Sequence, residues 1–333
     1  MARKLELEVA NFVVRFESKY VLNDLLDEVV LPAFFSGKTR EYKETTYFFH
    51  EPEFKYLEKG NIDSLALVCR LVKDTVLRRH QIYTRNRGIV PDEYEIKSAP
   101  SAIATLLLKS HRLLYVREVP NAPSAKQFGS TFKYFLRNST MEYQNSVYDQ
   151  KKESGEKITR KRSKELFPIP DVEVVPLVAG ESLKEFLGRF KTLKNLKVEL
   201  AATNNEIDNE DFFRQLRGTQ NDVGSHRTVI TQQSNDGLDT DGCYKYVEAA
   251  KQGNFFIEMK GEDERGDDLV GTNESFAVKS QLPAGNQTKA TRVKQSFQKY
   301  QELLDEDVVE VGKAEEDVSE KLIESHKKFK KAQ

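Results

Sequence analysis

Residues 151–164 carry seven cations against two anions, show no apolar periodicity, and run into Phe167-Pro168-Ile169-Pro170. A segment of that composition does not enter a core. Whatever this chain buries must therefore come from the residues on either side. With 333 residues there is length for two domains of ordinary size. The division read from the sequence is an N-terminal α+β domain over 1–150 and a basic connector over 151–170. A C-terminal α+β domain over 171–311 and a charged helical tail over 312–333 follow.

In the first half, Leu5, Leu7 and Val9 alternate with Glu6 and Glu8. Period-two alternation predicts a strand reaching about Phe16. Asn23 precedes Leu25, Leu26, Val29, Val30 and Leu31, a short helix stopped by Pro32. Strands are predicted near 44–50, 64–72 and 75–84, the last two joined by a tight turn at Lys73-Asp74, and another over 106–116. Pro120 and Pro123 punctuate the chain, and Ser124 reads as an N-cap. Phe128, Phe132 and Phe135 then fall at helical spacing.

In the second half, Val172, Val174 and Val175 predict a strand. Leu183, Phe186, Leu187 and Phe190 predict a helix opened by Gly180 and Ser182, and Leu196, Val198 and Leu200 a second strand. Together these read as a β-α-β unit. Asp208 is expected to cap a helix through Phe212, Phe213 and Leu216. Residues 218–238 read as a polar loop, and 244–250 as helical. The acidic run 261–268 is expected to join strands 255–260 and 275–278 in a hairpin. Val293, Phe297, Tyr300 and Leu304 mark a terminal core helix. The fold class is α+β, two domains with mixed sheets.

Net charge is −1, with 38% hydrophobic and 32% charged residues, so binding to a polyanion requires cations segregated on one face. Two cysteines, Cys69 and Cys243, offer no disulfide framework or zinc spacing. A reduced, cytoplasmic setting is expected. The N-terminus does not read as a signal peptide, and no apolar run is long enough for a transmembrane helix.

Catalytic signatures are sparse. Pro91-Asp92 followed by Glu95-Ile96-Lys97 spells the elements of a metal-dependent nuclease. That chemistry needs Asp92 and Glu95 to converge on a metal with Lys97 beside the phosphate. A single strand would spread them along one backbone. The acidic turn lacks the spacing of a calcium loop. His50, His80, His111, His226 and His326 have no metal-ligand spacing, and no phosphate-binding glycine loop or nucleophile elbow occurs. No cofactor and no metal site are predicted.

Two basic clusters are better founded. Arg70, Lys73, Arg78, Arg79, Arg85 and Arg87 concentrate over 70–87 with only Asp74 against them, and Tyr83 among them is placed to stack on a base. Lys157, Arg160, Lys161, Arg162 and Lys164 form the second, in the connector. The expectation is one phosphate-facing wall containing both.

Three blocks resemble the RexA-type abortive-infection proteins of phage lambda and related bacterial and prophage proteins. They are His111-Arg-Leu-Leu-Tyr-Val-Arg-Glu-Val with Pro123-Ser124 and its helix to Leu136; Val172-Glu-Val-Val-Pro-Leu-Val with Glu181-Ser-Leu-Lys-Glu-Phe-Leu and Lys194-Asn-Leu-Lys-Val-Glu-Leu; and Phe255-Phe-Ile-Glu-Met-Lys with Phe276-Ala-Val-Lys and the helix from Thr291. The similarity spans about 110–305 and carries over no catalytic residue. It implies a cytoplasmic homodimer that binds DNA with little sequence preference in antiviral defence. The expected function is thus non-catalytic nucleic-acid binding, most simply to double-stranded DNA. A nuclease, or an adaptor that docks a protein partner through helix 313–331, is the alternative.

Overall fold

The computed structural model describes residues 5–204, 211–248, 253–283, 285, 287–311 and 316–332. The fold is α+β, and everything in it is assembled around the first strand. β1 (Leu5–Phe16) is buried on both faces. Ala10, Phe12, Val14 and Phe16 enter one core, and Leu5, Leu7 and Val9 enter another. After β2 (Tyr20–Val21) a helical stretch leads into α1 (Leu31–Phe34). Pro32 stands in the first turn of α1 rather than ending a helix, because proline lacks only an amide that the first turn leaves unpaired.

Five antiparallel strands follow β3 (Thr39–Tyr42): β4 (Thr45–Tyr56), β5 (Leu65–Thr84), β6 (Gly88–Ser98), β7 (Ser101–Leu107) and β8 (Arg112–Arg117). The strand predicted over 106–116 is two strands, with the turn between them at His111, whose φ is +53°. Next come α2 (Ala125–Glu153), α3 (Arg160–Leu166), β9 (Asp171–Pro176), α4 (Gly180–Leu187), β10 (Phe190–Leu200) and α5 (Asp211–Asp222). The chain continues through β11 (Val229–Gln233), α6 (Thr240–Glu248), β12 (Phe255–Asp263), β13 (Asp268–Thr272) and β14 (Lys279–Leu282). It closes with α7 (Lys289–Asp305) and α8 (Glu316–Ala332). The proposed cap Asp208 lies outside the described residues.

The large sheet has the order β14-β1-β8-β7-β5-β4-β3, with β9 on the same edge of β1 as β14. It is strongly curled. Phe12 on β1 and Phe49 on β4 both touch Phe128 and Phe132 of α2, with ring centroids 5.4–5.8 Å apart. In a flat sheet, four strand spacings would hold Phe12 and Phe49 about 19 Å apart. The sheet therefore wraps α2 as a trough. Its other face is covered by Val293, Phe297, Tyr300 and Leu303 of α7. The final helix, α8, lays Leu322 and Phe329 onto the α2 side. Its apolar stripe, offered by the sequence to an outside partner, is thus taken by this chain's own core.

A second sheet, β11-β10-β12-β13, forms its own core with α4, α5 and α6. All described strand pairings are antiparallel, so the β-α-β reading needs correction. β9, α4 and β10 occur in that order, but β9 joins the first sheet and β10 the second. An eight-residue helix is too short to carry β10 back beside β9. Because β9 and β14 both pair with β1, the chain returns to the first sheet twice after residue 170. The two sheets are joined by buried asparagines. Asn204 Nδ2 donates to Phe12 O (3.0 Å) and its Oδ1 accepts from Val14 N (3.1 Å). Asn273 Nδ2 donates to Phe255 O (3.0 Å). Each amide side chain satisfies backbone groups that a sheet-to-sheet joint would otherwise leave unpaired.

Candidate nucleic-acid interface

The cations of 70–87 lie along β5. This strand does not turn at Lys73-Asp74: those residues pair with Tyr47 and Thr46 of β4 and the chain runs straight through. From Thr75 onward β5 leaves the sheet and pairs only with β6. The result is a two-stranded ribbon, ten residues of β5 long, projecting roughly 33 Å. Its turn is at 85–87, closed by Gly88 with φ +68°. Positive φ is what glycine tolerates without steric cost.

The register decides which cations remain available. Arg70, within the sheet between β4 and β7, is held by Glu118 (3.0 Å) and Glu51 (3.2 Å). Arg78 bonds Glu95 directly opposite and Glu44, both at 2.9 Å. Arg79 is paired with Asp92 and stacks over Tyr94 at 5.2 Å. Lys73 sits in the sheet, level with Tyr47. Arg85 and Arg87 occupy the exposed turn, and no ion pair ties them to a described carboxylate. Tyr83, next to them, is 73% exposed. From Thr75 to Pro91 the ribbon has four arginines and His80 and not one acid.

The second cluster is helical rather than an irregular connector. α2 runs on through Lys151 and Lys152, and α3 folds back against it, with Ser163 Oγ donating to Gln144 O at 2.6 Å. Thr159 caps α3 and accepts from Arg162 N. Lys157, Arg160, Lys161, Arg162 and Lys164 are exposed. Arg162 and Lys161 share Glu165, and Arg160 stacks on Tyr148 at 5.3 Å.

These clusters do not form one wall. Gln127, in the first turn of α2, bonds Tyr47 (3.1 Å) beside Lys73, where the ribbon leaves the sheet. The far end of α2 reaches Tyr20 and Phe167, past the end of β1. At 1.5 Å per residue the helix separates the ribbon base from α3 by roughly 25 Å.

The nuclease elements do not converge. Glu95 meets Arg78 on one face of the ribbon and Asp92 meets Arg79 on the other. Both carboxylates are engaged by arginine, with Lys97 on an exposed stretch of β6. Among the described residues no three His, Cys, Asp or Glu side chains stand together as a metal site.

One cleft of about 820 Å³ opens between the first turns of α2 and the second sheet. Charges of both signs line it, including Glu8, Arg117, Lys126, Glu173 and Lys279. Burial raises the Glu8 carboxyl, with Arg117 and Lys279 pulling it back. Glu173 is raised by burial too, opposed by the Ala202 amide it accepts (2.9 Å). Its serines are engaged elsewhere: Ser124 caps α2, and Ser130 donates to Gln127 O and accepts from Arg40. No nucleophile-base pair results.

Reading by residue type missed the exposed apolar side chains Ile89, Tyr94 and Ile96, which share the ribbon with the arginines. The Asn86-Arg87-Gly88 turn signal between two β-rich runs was the available clue. No described helix is long and apolar enough to cross a membrane. No protein-family model matches this chain, and no curated protein matches it.

Proposed function

We propose that this protein binds nucleic acid through the tip of the β5/β6 ribbon. The observation that carries the reading is a projecting antiparallel ribbon whose turn presents Arg85 and Arg87 with no ion pair to a described carboxylate. A two-stranded ribbon fits the major groove of B-form DNA. Guanidinium groups at its tip neutralise phosphates and release counterions. The reading is non-catalytic. Arg70, Arg78 and Arg79 serve the ribbon's own ion pairs, and the α3 cations stand at the other end of the molecule. The RexA-type resemblance extends this reading to a role in phage defence.

The test is fluorescence anisotropy with a 5′-labelled duplex across a salt series. Arg85→Glu with Arg87→Glu is expected to weaken binding by on the order of tenfold or more and to lower the log-log salt slope by about 2. Reversing Arg160, Lys161 and Arg162 is expected to leave affinity within about twofold, since surface charges beyond a Debye length are screened. Equal losses from both variants, or none from the first, overturn the assignment to the tip.

A further inference from the structure

Leu77, Tyr83, Ile89, Tyr94 and Ile96 are all exposed, and the strand register puts every one of them on the same face of the ribbon. Leu77 lies opposite Ile96, Arg79 opposite Tyr94, and Tyr83 opposite Ile89. Tyr83 and Ile89 are 73% and 67% exposed. This face is continuous with a core. Leu65, Leu67, Cys69 and Leu71 of β5 point into the aromatic core around α2, and side chains two residues apart share a face, so 77 and 83 continue that row. The helix that covers the row begins beside Tyr47. Beyond it, no described part of this chain covers the apolar face.

We infer that this face packs against the same face of a second copy of the chain, the two ribbons lying face to face and antiparallel about a two-fold axis. Three features select that occupant. The face is electrically neutral: its one charge, Arg79, is paired with Asp92 and stacked on Tyr94, so a polyanion gains nothing from it. The apolar pairs sit at both ends, Leu77/Ile96 at the base and Tyr83/Ile89 near the tip, with Arg79 and Gln81 between. An antiparallel two-fold therefore lays each tip pair on the partner's base pair and brings two neutralised Arg79 side chains to the middle, without a like-charge contact. The area is also sufficient. Five such side chains cover on the order of 500 Å² per ribbon, so the pair buries roughly 1,000 Å², the threshold for a specific interface. The inference does not depend on nucleic-acid binding.

Sedimentation equilibrium of the full chain tests it. The expected mass is twice that of the 38.3 kDa chain, falling to the single-chain value in Tyr83→Asp with Ile89→Lys. Both side chains are exposed in the single chain, so the variant is expected to keep the parent's circular dichroism spectrum and a cooperative transition, with only the concentration dependence of the parent's midpoint lost, and unfolding cannot imitate dissociation. Arg85→Glu with Arg87→Glu is expected to stay dimeric while losing nucleic acid, which separates the two readings. Gln81→Cys, near the two-fold, is expected to give a linked dimer with a short bis-maleimide that spans about 10 Å, and Arg87→Cys, at the far end of each ribbon, is not; the native Cys69 and Cys243 are both buried and do not compete. A monomer at every concentration overturns the inference, as does a dimer insensitive to Tyr83→Asp and Ile89→Lys. Cross-linking at position 87 but not 81 overturns the antiparallel order.

Discussion

Phe49→Ala is expected to lower the unfolding free energy by about 3–5 kcal/mol, the range for deleting a buried phenylalanine. Phe49 is where the curled sheet grips its helix. Its ring meets Phe34 at 5.1 Å, Phe128 at 5.4 Å, Phe132 at 5.6 Å and Phe135 at 5.1 Å. The last two contacts are edge-to-face, a geometry that adds to simple burial. Three of the four partners are on α2, so the alanine variant opens a cavity that a 29-residue helix cannot collapse to fill. Net stabilities run at about 5–15 kcal/mol, so the variant would sit near the limit of folding. Phe49→Leu, which keeps most of the volume, is expected to lose considerably less. Val223→Ala, at an exposed position after α5, is expected to change stability by less than about 0.5 kcal/mol. Urea denaturation with an unchanged slope is the measurement. A loss below about 1 kcal/mol at position 49 would mean that the curl is held elsewhere.

The elements that could be read in advance are those that bury one regular face. β1 shows its alternation in Leu5, Leu7 and Val9. α2 shows its core face in Phe128, Phe132 and Phe135, with Ser124 capping it through Gln127. The outer half of β5 gave no such pattern, because beyond Thr75 neither face is covered by this chain and apolar and cationic residues share the strand. The turn was therefore sought at Lys73-Asp74, two polar residues that in fact pair across to β4. α3 was hidden for the opposite reason. Ser163 is its only fully buried residue, so a solvated helix and a solvated loop have the same composition. The pairing of β1 with β9 and β14 joins residues more than 150 positions apart, and no local period reports such a partner.

The interface was legible as residue types and not as geometry. Arginine-rich 70–87 carried the right charge, but availability is set by register. Once β5 is known to turn at 85–87, Arg78 must face Glu95 and lose its net charge, while Arg85 and Arg87 in the turn meet no described carboxylate. A misplaced turn hid that neutralisation. It equally hid the apolar face, since Leu77, Tyr83, Ile89, Tyr94 and Ile96 become neighbours only when the two strands are paired. One ribbon thus separates two recognition chemistries in space: cations concentrate at its end, and neutral apolar surface lies along its side.

Acid is expected to weaken the fold through His111 before it alters the ribbon. His111 is buried in the turn between β7 and β8, its carbonyl accepts from Phe12 N at 2.8 Å, and its Nε2 lies 3.5 Å from Asn23 Nδ2. Burial, reinforced by the neighbouring Arg112 charge, pushes its imidazole down to about 3. An unfolded histidine titrates near 6.5. Between those values the unfolded chain takes up a proton that the folded chain refuses, so stability falls as pH falls. The contribution is complete above about pH 6.5 and declines by about 1.4 kcal/mol per pH unit below it. His326, lowered by burial against Phe54 and Tyr56 and by Lys330, acts in the same direction. Glu8 and Glu173, raised by burial, act in the opposite one. The comparison that isolates His111 is therefore the difference between the parent and His111→Asn. Asparagine tolerates the +53° φ at this position and does not titrate. From pH 6.5 to 5 the parent is expected to lose about 2 kcal/mol more than the variant, read from urea midpoints at each pH. Parallel stability curves would show that the imidazole is already protonated in the folded chain and that its burial is not what sets its charge.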